Sequence, residues 1–286
     1  MLRLFLVSLT LFFITSNLFA DKLSIELEDL SKVISSSKVI DARSSDLFLK
    51  GHLKDSVNLP ATITYENKSK NGKITTPTKM QEIIQNLGIN VNDSILIYDD
   101  GTFFDASRVF WSLEVYGFEN VKLINAGFNE LKKNSFEISK NPTKVKKSDY
   151  IVSINNKRLA TKFSTQIATK NDSQIIIDAR PEESYVGKKS VAKRFGHIPK
   201  AINIPAGHNI NDKGENLKLK TLDELKEVYK SLDKNKKIVI YCKIGRIAST
   251  NYFALRELGF DVANYDASWK EWGNDFSLPV VNLSEN

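Results

Sequence analysis

Ile175-Ile176-Ile177-Asp178-Ala179-Arg180 repeats, 137 residues further along, the ending of Lys38-Val39-Ile40-Asp41-Ala42-Arg43. Three more landmarks recur in the same order. Gly51-His52-Leu53-Lys54-Asp55-Ser56-Val57-Asn58-Leu59-Pro60 is matched by Gly196-His197-Ile198-Pro199-Lys200-Ala201-Ile202-Asn203-Ile204-Pro205. Ile95-Leu96-Ile97-Tyr98 is matched by Ile238-Val239-Ile240-Tyr241, and Asn125-Ala126-Gly127-Phe128 by Asp266-Ala267-Ser268-Trp269. The chain is therefore an internal duplication. At the second landmark the spacing is 145 instead of 137, so the second copy carries eight extra residues. They fall within Tyr185 to Phe195 and include Lys188, Lys189, Lys193 and Arg194.

Short Val/Ile runs without polar alternation read as strands buried on both faces. They alternate with helical stretches at Thr78 to Leu87, Asp105 to Tyr116, Thr221 to Leu232 and Ala248 to Leu258. That alternation predicts an α/β fold: two domains, each a mainly parallel sheet flanked by helices. The expected boundaries are 22–140 and 155–280, with a linker at 141–154. The Lys-, Asn- and Ser-rich stretch Lys140 to Lys157 suits such a linker passing into a short strand at Tyr150-Ile151-Val152.

Composition narrows the class. The chain has 286 residues, 41% hydrophobic and 26% charged, which suits two folded domains rather than disorder. A single cysteine excludes an internal disulfide framework and any multi-cysteine metal or iron–sulfur site. Three histidines leave little material for a zinc site. No Gly-rich phosphate loop or clustered ligand set occurs, so no cofactor is expected. The net charge of +7 suits anionic partners. The lysines are dispersed, with no aromatic–basic repeat, which favours a solvated basic surface over nucleic-acid binding.

The N-terminus has the layout of a secretory signal. Arg3 precedes Leu4 to Phe13, which is apolar except for Ser8 and Thr10. Ser16 and Asn17 follow, then Leu18-Phe19-Ala20 before Asp21 and Lys22. Cleavage after Ala20 is expected, with an uncleaved membrane anchor as the rival. No cysteine near the cut could carry a lipoprotein anchor, and no later apolar run is long enough for a span. The expectation is an exported chain, periplasmic in a bacterial host, with no stable membrane insertion.

In an oxidising compartment a lone thiol is either reactive or buried and inert. Cys242 follows the strand ending at Tyr241 and opens Cys242-Lys243-Ile244-Gly245-Arg246-Ile247, before a helix starting at Ala248-Ser249-Thr250. The carboxyl end of a parallel strand, feeding a helix N-terminus, is where α/β folds bind ligands. Turn N–H groups and the helix dipole attract an anion there, and Lys243 and Arg246 add cationic side chains. Such a setting favours thiolate over thiol, which makes Cys242 the candidate nucleophile.

The order Asp-Ala-Arg, Gly-His-Ile, Tyr-Cys loop, helix, then Tyr265-Asp266-Ala267-Ser268-Trp269-Lys270-Glu271-Trp272 closely resembles the tandem-domain rhodanese sulfurtransferases, the thiosulfate/mercaptopyruvate sulfurtransferase family. The resemblance implies two rhodanese-like domains, an inactive first copy and a catalytic second one. Matching Tyr98 to Tyr241 puts Asp99 opposite Cys242. By that resemblance Cys242 takes a sulfane sulfur as a persulfide, which a thiophilic acceptor removes. The loop of Lys243, Ile244, Gly245, Arg246, Ile247 and Ala248 would steady the outer sulfur through its N–H groups. Lys243 and Arg246 would hold a small anionic donor such as thiosulfate. Arg180 matches a family arginine near the active site, with a salt bridge to Asp178 or Glu183 as the alternative. A monomer is expected.

Two departures bear on the donor. Ile244 stands where thiosulfate-specific members usually have a second basic residue, and Lys-Ile-Gly replaces the Gly-Ser-Gly usual for mercaptopyruvate. A family arginine before a Tyr in the Arg180 segment would fall at Ser184. Charge alone favours thiosulfate, with 3-mercaptopyruvate as the alternative donor. A persulfide carrier without turnover is the alternative activity. A phosphatase of this fold would need an arginine six positions after the cysteine, where Ala248 stands, and disulfide exchange lacks a second cysteine. His52 and His197 occupy matching places in both copies and are expected to be structural. Trp269 and Trp272 are expected to pack the last helix on the core.

Overall fold

The computed structural model describes residues 22–67, 71–212 and 216–284, so the predicted signal at 1–20 lies outside the described residues. The first sheet is built from β1 (Ser24–Ile25), β2 (Lys38–Asp41), β3 (Val57–Asn58), β4 (Ile95–Tyr98) and β5 (Val121–Ile124). Its order is β1-β5-β4-β2-β3, parallel throughout. The second sheet holds β6 (Leu159–Ala160), β7 (Gln174–Asp178), β8 (Ala201–Asn203), β9 (Lys237–Tyr241) and β10 (Val262–Tyr265). Its order, β6-β10-β9-β7-β8, is that of the first, again parallel. Duplicated sequence thus gives duplicated topology.

The central strands β4 and β9 are buried along Ile95–Tyr98 and Ile238–Tyr241, as uninterrupted apolar runs demand. Helices Pro77–Asn86, Phe104–Val115 and Ala248–Glu257 lie within a residue or two of the predicted ones. Thr76 caps the first, with Pro77 in its opening turn. The helix expected over Thr221 to Leu232 starts at Leu222 behind a Thr221/Glu224 capping box but ends at Val228.

The strand expected at Tyr150-Ile151-Val152 does not form. Glutamine side chains take the place of a neighbouring strand: Gln85 Nε2 donates to the Tyr150 carbonyl at 2.9 Å, and the Val152 N–H donates to Gln81 Oε1 at 3.0 Å. The Tyr150 hydroxyl donates to the Tyr116 carbonyl at 2.6 Å, which holds the segment against the first domain. A short apolar run satisfied by side chains has no need of a ladder.

One apolar core passes through both domains and includes Phe110, Leu113, Cys242, Tyr252 and Phe253. The helices Phe104–Val115 and Ala248–Glu257, each following the central strand of its copy, pack on one another. Phe110 meets Phe253 edge-on at 5.1 Å between ring centres. Glu114 crosses the junction, accepting from the Tyr252 hydroxyl at 2.5 Å and from Arg256 Nη2 at 2.9 Å. The turn after β9 is thereby brought against the first domain, whose Arg108 reaches the Gly245 carbonyl. Among the described residues no helix is long and apolar enough to cross a membrane.

Candidate active site

The strand β9 is locked at its carboxyl end by a buried network. The Tyr241 hydroxyl donates to Asp178 Oδ2 at 2.6 Å, and Arg180 pairs with the same carboxylate at 2.6 Å. Arg180 also donates to the Gly196 carbonyl at 2.7 Å and lies 4.5 Å from the Trp269 ring centre. The first copy repeats this with Tyr98, Asp41 and Arg43: Tyr98 donates to Asp41 Oδ2 at 2.7 Å, and Arg43 reaches the Gly51 carbonyl at 2.7 Å. Of the two readings of Arg180, the geometry is that of the salt bridge to Asp178. His197 sends Nδ1 to the Tyr185 carbonyl and stacks on that ring, as His52 does with Phe48. Burial lowers the His197 pKa, against its hydrogen bond to Tyr185.

Cys242 follows directly and is 1% exposed. The Ser268 hydroxyl braces its loop. It accepts the N–H groups of Cys242 (3.1 Å) and Gly245 (3.0 Å) and donates to the Tyr265 carbonyl (2.8 Å). The matched position in the first copy is Gly127, which has no hydroxyl to offer. Gly245 has φ +68°, and a methyl group there would sit 2.6 Å from Asp266 Cα. Only glycine fits both demands. Among the described residues no acceptor meets the N–H groups of Lys243, Ile244, Arg246, Ile247 or Ala248.

The equivalent turn of the first copy shows what such N–H groups hold. Asp99 occupies the place of Cys242, and its carboxylate accepts from Gly101 (2.8 Å), Phe103 (3.1 Å), Asp105 (3.2 Å) and Ala106 (3.1 Å). The side chain fills its own turn with negative charge. Burial, reinforced by Asp100, nevertheless pushes its pKa up to about 6.

The first domain walls the second domain's loop. Arg246 Nε pairs with Asp105 Oδ1 at 2.5 Å, which raises the Arg246 pKa. Its two terminal nitrogens meet no protein acceptor among the described residues. Buried Arg108 donates to the Gly245 carbonyl at 3.3 Å and the Gly72 carbonyl at 3.2 Å, between the rings of Tyr65 and Trp111. Gly72 crosses the loop so closely that a methyl group would lie 2.4 Å from the Ile244 carbonyl oxygen. The Ile74 N–H donates to Asp266 Oδ2 at 2.5 Å, and burial pushes the Asp266 pKa up to about 6. Lys243 is exposed at the loop's edge.

The structure thus gathers Cys242 and Lys243 through Ala248 into one turn, with Arg180 behind the strand. Sequence reasoning missed Asp105, Arg108, Gly72 and Ser268. Only Ser268 left a trace, as the Ser-for-Gly difference at the fourth landmark. The others act across the domain junction, where no local pattern marks them. The extra basic segment does not supply a spare arginine to the cleft. Arg194 donates to the carbonyls of Trp272, Gly273, Asp275 and Leu278.

The profile of the Rhodanese-like domain matches residues 26–134 and 159–275. A Mycobacterium bovis protein provisionally named thiosulfate sulfurtransferase SseA is 31% identical over 214 residues, covering 70% of each chain. The 3-mercaptopyruvate sulfurtransferase of Escherichia coli O157:H7 is 26% identical over 267 residues, covering 90% of this chain and 93% of its own. Among solved structures, Escherichia coli SseA, a 3-mercaptopyruvate sulfotransferase, superposes with a TM-score of 0.76 at 23% identity. The match covers 87% of this chain and 99% of that one. An anaerobic ergothioneine biosynthesis enzyme from Chlorobium limicola gives 0.81 at 18% identity over 91% of this chain and 70% of its own, a likeness of fold alone.

Proposed function

The chain belongs to the rhodanese-like sulfurtransferase family, and from that premise we propose that it moves sulfane sulfur from thiosulfate to a thiophilic acceptor through a persulfide on Cys242. In the first step the Cys242 thiolate attacks the outer sulfur of thiosulfate. A sulfur–sulfur bond forms at Cys242, the bond to the sulfonate sulfur breaks, and sulfite leaves with the electron pair. In the second step an acceptor nucleophile takes the outer sulfur and the thiolate is regenerated. No external oxidant or reductant is needed.

The observation that carries this reading is the contrast between the two turns. In the first copy a carboxylate takes up the converging N–H groups. In the second, a thiol replaces it, and the N–H groups of Lys243, Ile244, Arg246, Ile247 and Ala248 have no acceptor among the described residues. They are suited to an anion that arrives from outside or forms on Cys242, such as a persulfide. Arg246, oriented by Asp105, and exposed Lys243 would hold the sulfonate end of the donor. Arg180 would act from behind, as a positioning residue, by fixing Asp178 and so Tyr241.

The test is thiocyanate production from thiosulfate and cyanide, run beside 3-mercaptopyruvate. The expected result is turnover with thiosulfate that Cys242→Ser abolishes, while circular dichroism shows an intact fold. Near-normal turnover by the variant would overturn the mechanism. Preference for 3-mercaptopyruvate would overturn the choice of donor.

A further inference from the structure

A further residue of the first domain, Tyr65, lies beside the cysteine loop. Tyr65 is 4% exposed, and its hydroxyl is buried without a hydrogen-bond partner among the described residues. An unsatisfied buried hydroxyl costs stability unless something else meets it. The Tyr65 ring is held in place. Its backbone bridges Ile74, the residue whose N–H meets Asp266, and the Arg108 guanidinium lies 4.2 Å from its ring centre while reaching the Gly245 carbonyl. One face of Tyr65 therefore rests on the arginine that touches the cysteine loop.

The Arg108 contact sets Tyr65 beside the cysteine loop, and the charges around it act on its hydroxyl. Burial raises its pKa most. Arg108 opposes this, a charge on Cys242 adds to it, Arg246 opposes and Asp105 adds. The phenol therefore keeps its proton at neutral pH and can only serve an incoming anion as a neutral O–H donor.

We infer that the Tyr65 hydroxyl donates a hydrogen bond to the oxyanion head of the sulfur donor, so that the first domain contributes a substrate-binding group to the Cys242 site. This deepens the sulfurtransferase reading and rests on it. Arg246 supplies charge, whereas Tyr65 supplies one directional donor in a desolvated position, where a hydrogen bond to a charged group is strong.

The experiment measures thiosulfate binding by calorimetry on Cys242→Ser, which cannot react, and on Cys242→Ser combined with Tyr65→Phe. The inference predicts binding weakened about tenfold by loss of the hydroxyl. With Cys242 present, Tyr65→Phe is expected to raise the KM for thiosulfate. The rate at which neutral iodoacetamide alkylates Cys242, and the melting temperature, are expected to stay unchanged. Equal affinity in the two chains would overturn the inference. A lowered melting temperature, or equal loss of alkylation rate and thiosulfate affinity, would also overturn it by showing a packing role. No binding by Cys242→Ser itself would overturn it together with the choice of donor. A wild-type chain without turnover whose thiosulfate affinity still depends on Tyr65 would overturn only the sulfurtransferase reading.

Discussion

At the scale of the residue, Asp99 is an anion already seated in a turn built for one. Four N–H groups favour its charged form, yet burial outweighs them and its pKa is pushed up to about 6. A carboxyl whose pKa is higher folded than unfolded binds more protons in the native state across the interval between the two values. Its contribution to stability is full below the unfolded value near 3.8 and is lost as pH rises through about 6. Asp99→Asn removes that titration. The slope of unfolding free energy against pH between about 4 and about 6 is therefore expected to be less negative in the variant, by about 1.4 kcal/mol per pH unit at most. Urea titrations at several pH values check this, and parallel curves for the two chains would contradict it. The difference between chains is the proper readout, because Asp275, held down to about 2 chiefly by Lys162, represents carboxyls that act in the opposite sense.

At the scale of the element, the two helices behind the two turns tie the copies together. Each carries residues that serve the other copy. Asp105 and Arg108 of the first helix reach Arg246 and Gly245, and Tyr252 and Arg256 of the second reach Glu114. Glu114 is buried with two partners, so its removal leaves Arg256 and the Tyr252 hydroxyl without their acceptor. Glu114→Ala is expected to destabilise the protein by about 3 kcal/mol, the scale of a broken buried pair. Chemical denaturation measures it, and a change within about 0.5 kcal/mol, typical of an inconsequential surface site, would contradict the assignment.

The elements themselves were legible because their signals are local. Apolar runs gave β4 and β9, and the stretch Thr78 to Leu87 gave a helix to within a residue or so of its ends. Tyr150-Ile151-Val152 has the same local signal as a strand, but Gln81 and Gln85 satisfy its backbone from another element. No local reading could foresee that. The candidate site divides along the same line. Cys242 and its loop are contiguous and could be read directly. Tyr65, Gly72, Asp105 and Arg108 come from the other copy, and only the folded chain brings them to the loop.

At the scale of the whole molecule, duplication followed by divergence explains why one domain holds a thiol and the other a plug. The Arg–Asp–Tyr network behind the central strand is kept in both copies, so both turns are presented alike. What differs is the residue at the strand's end and the brace beside it, Asp99 and Gly127 in one copy, Cys242 and Ser268 in the other. On the proposed function the chemistry belongs to the second domain while the first packs against its cysteine loop, and a single core passing through both copies supports that arrangement. The central claim is that Cys242 itself carries the transferred sulfur. Intact-protein mass spectrometry after brief exposure to thiosulfate tests it most directly. The account predicts a gain of one sulfur atom, localised by peptide mapping to Cys242, removed by cyanide and absent from Cys242→Ser. A folded wild-type chain with a free thiol that gains no sulfur from thiosulfate, or a Cys242→Ser chain that gains it equally, would contradict the account.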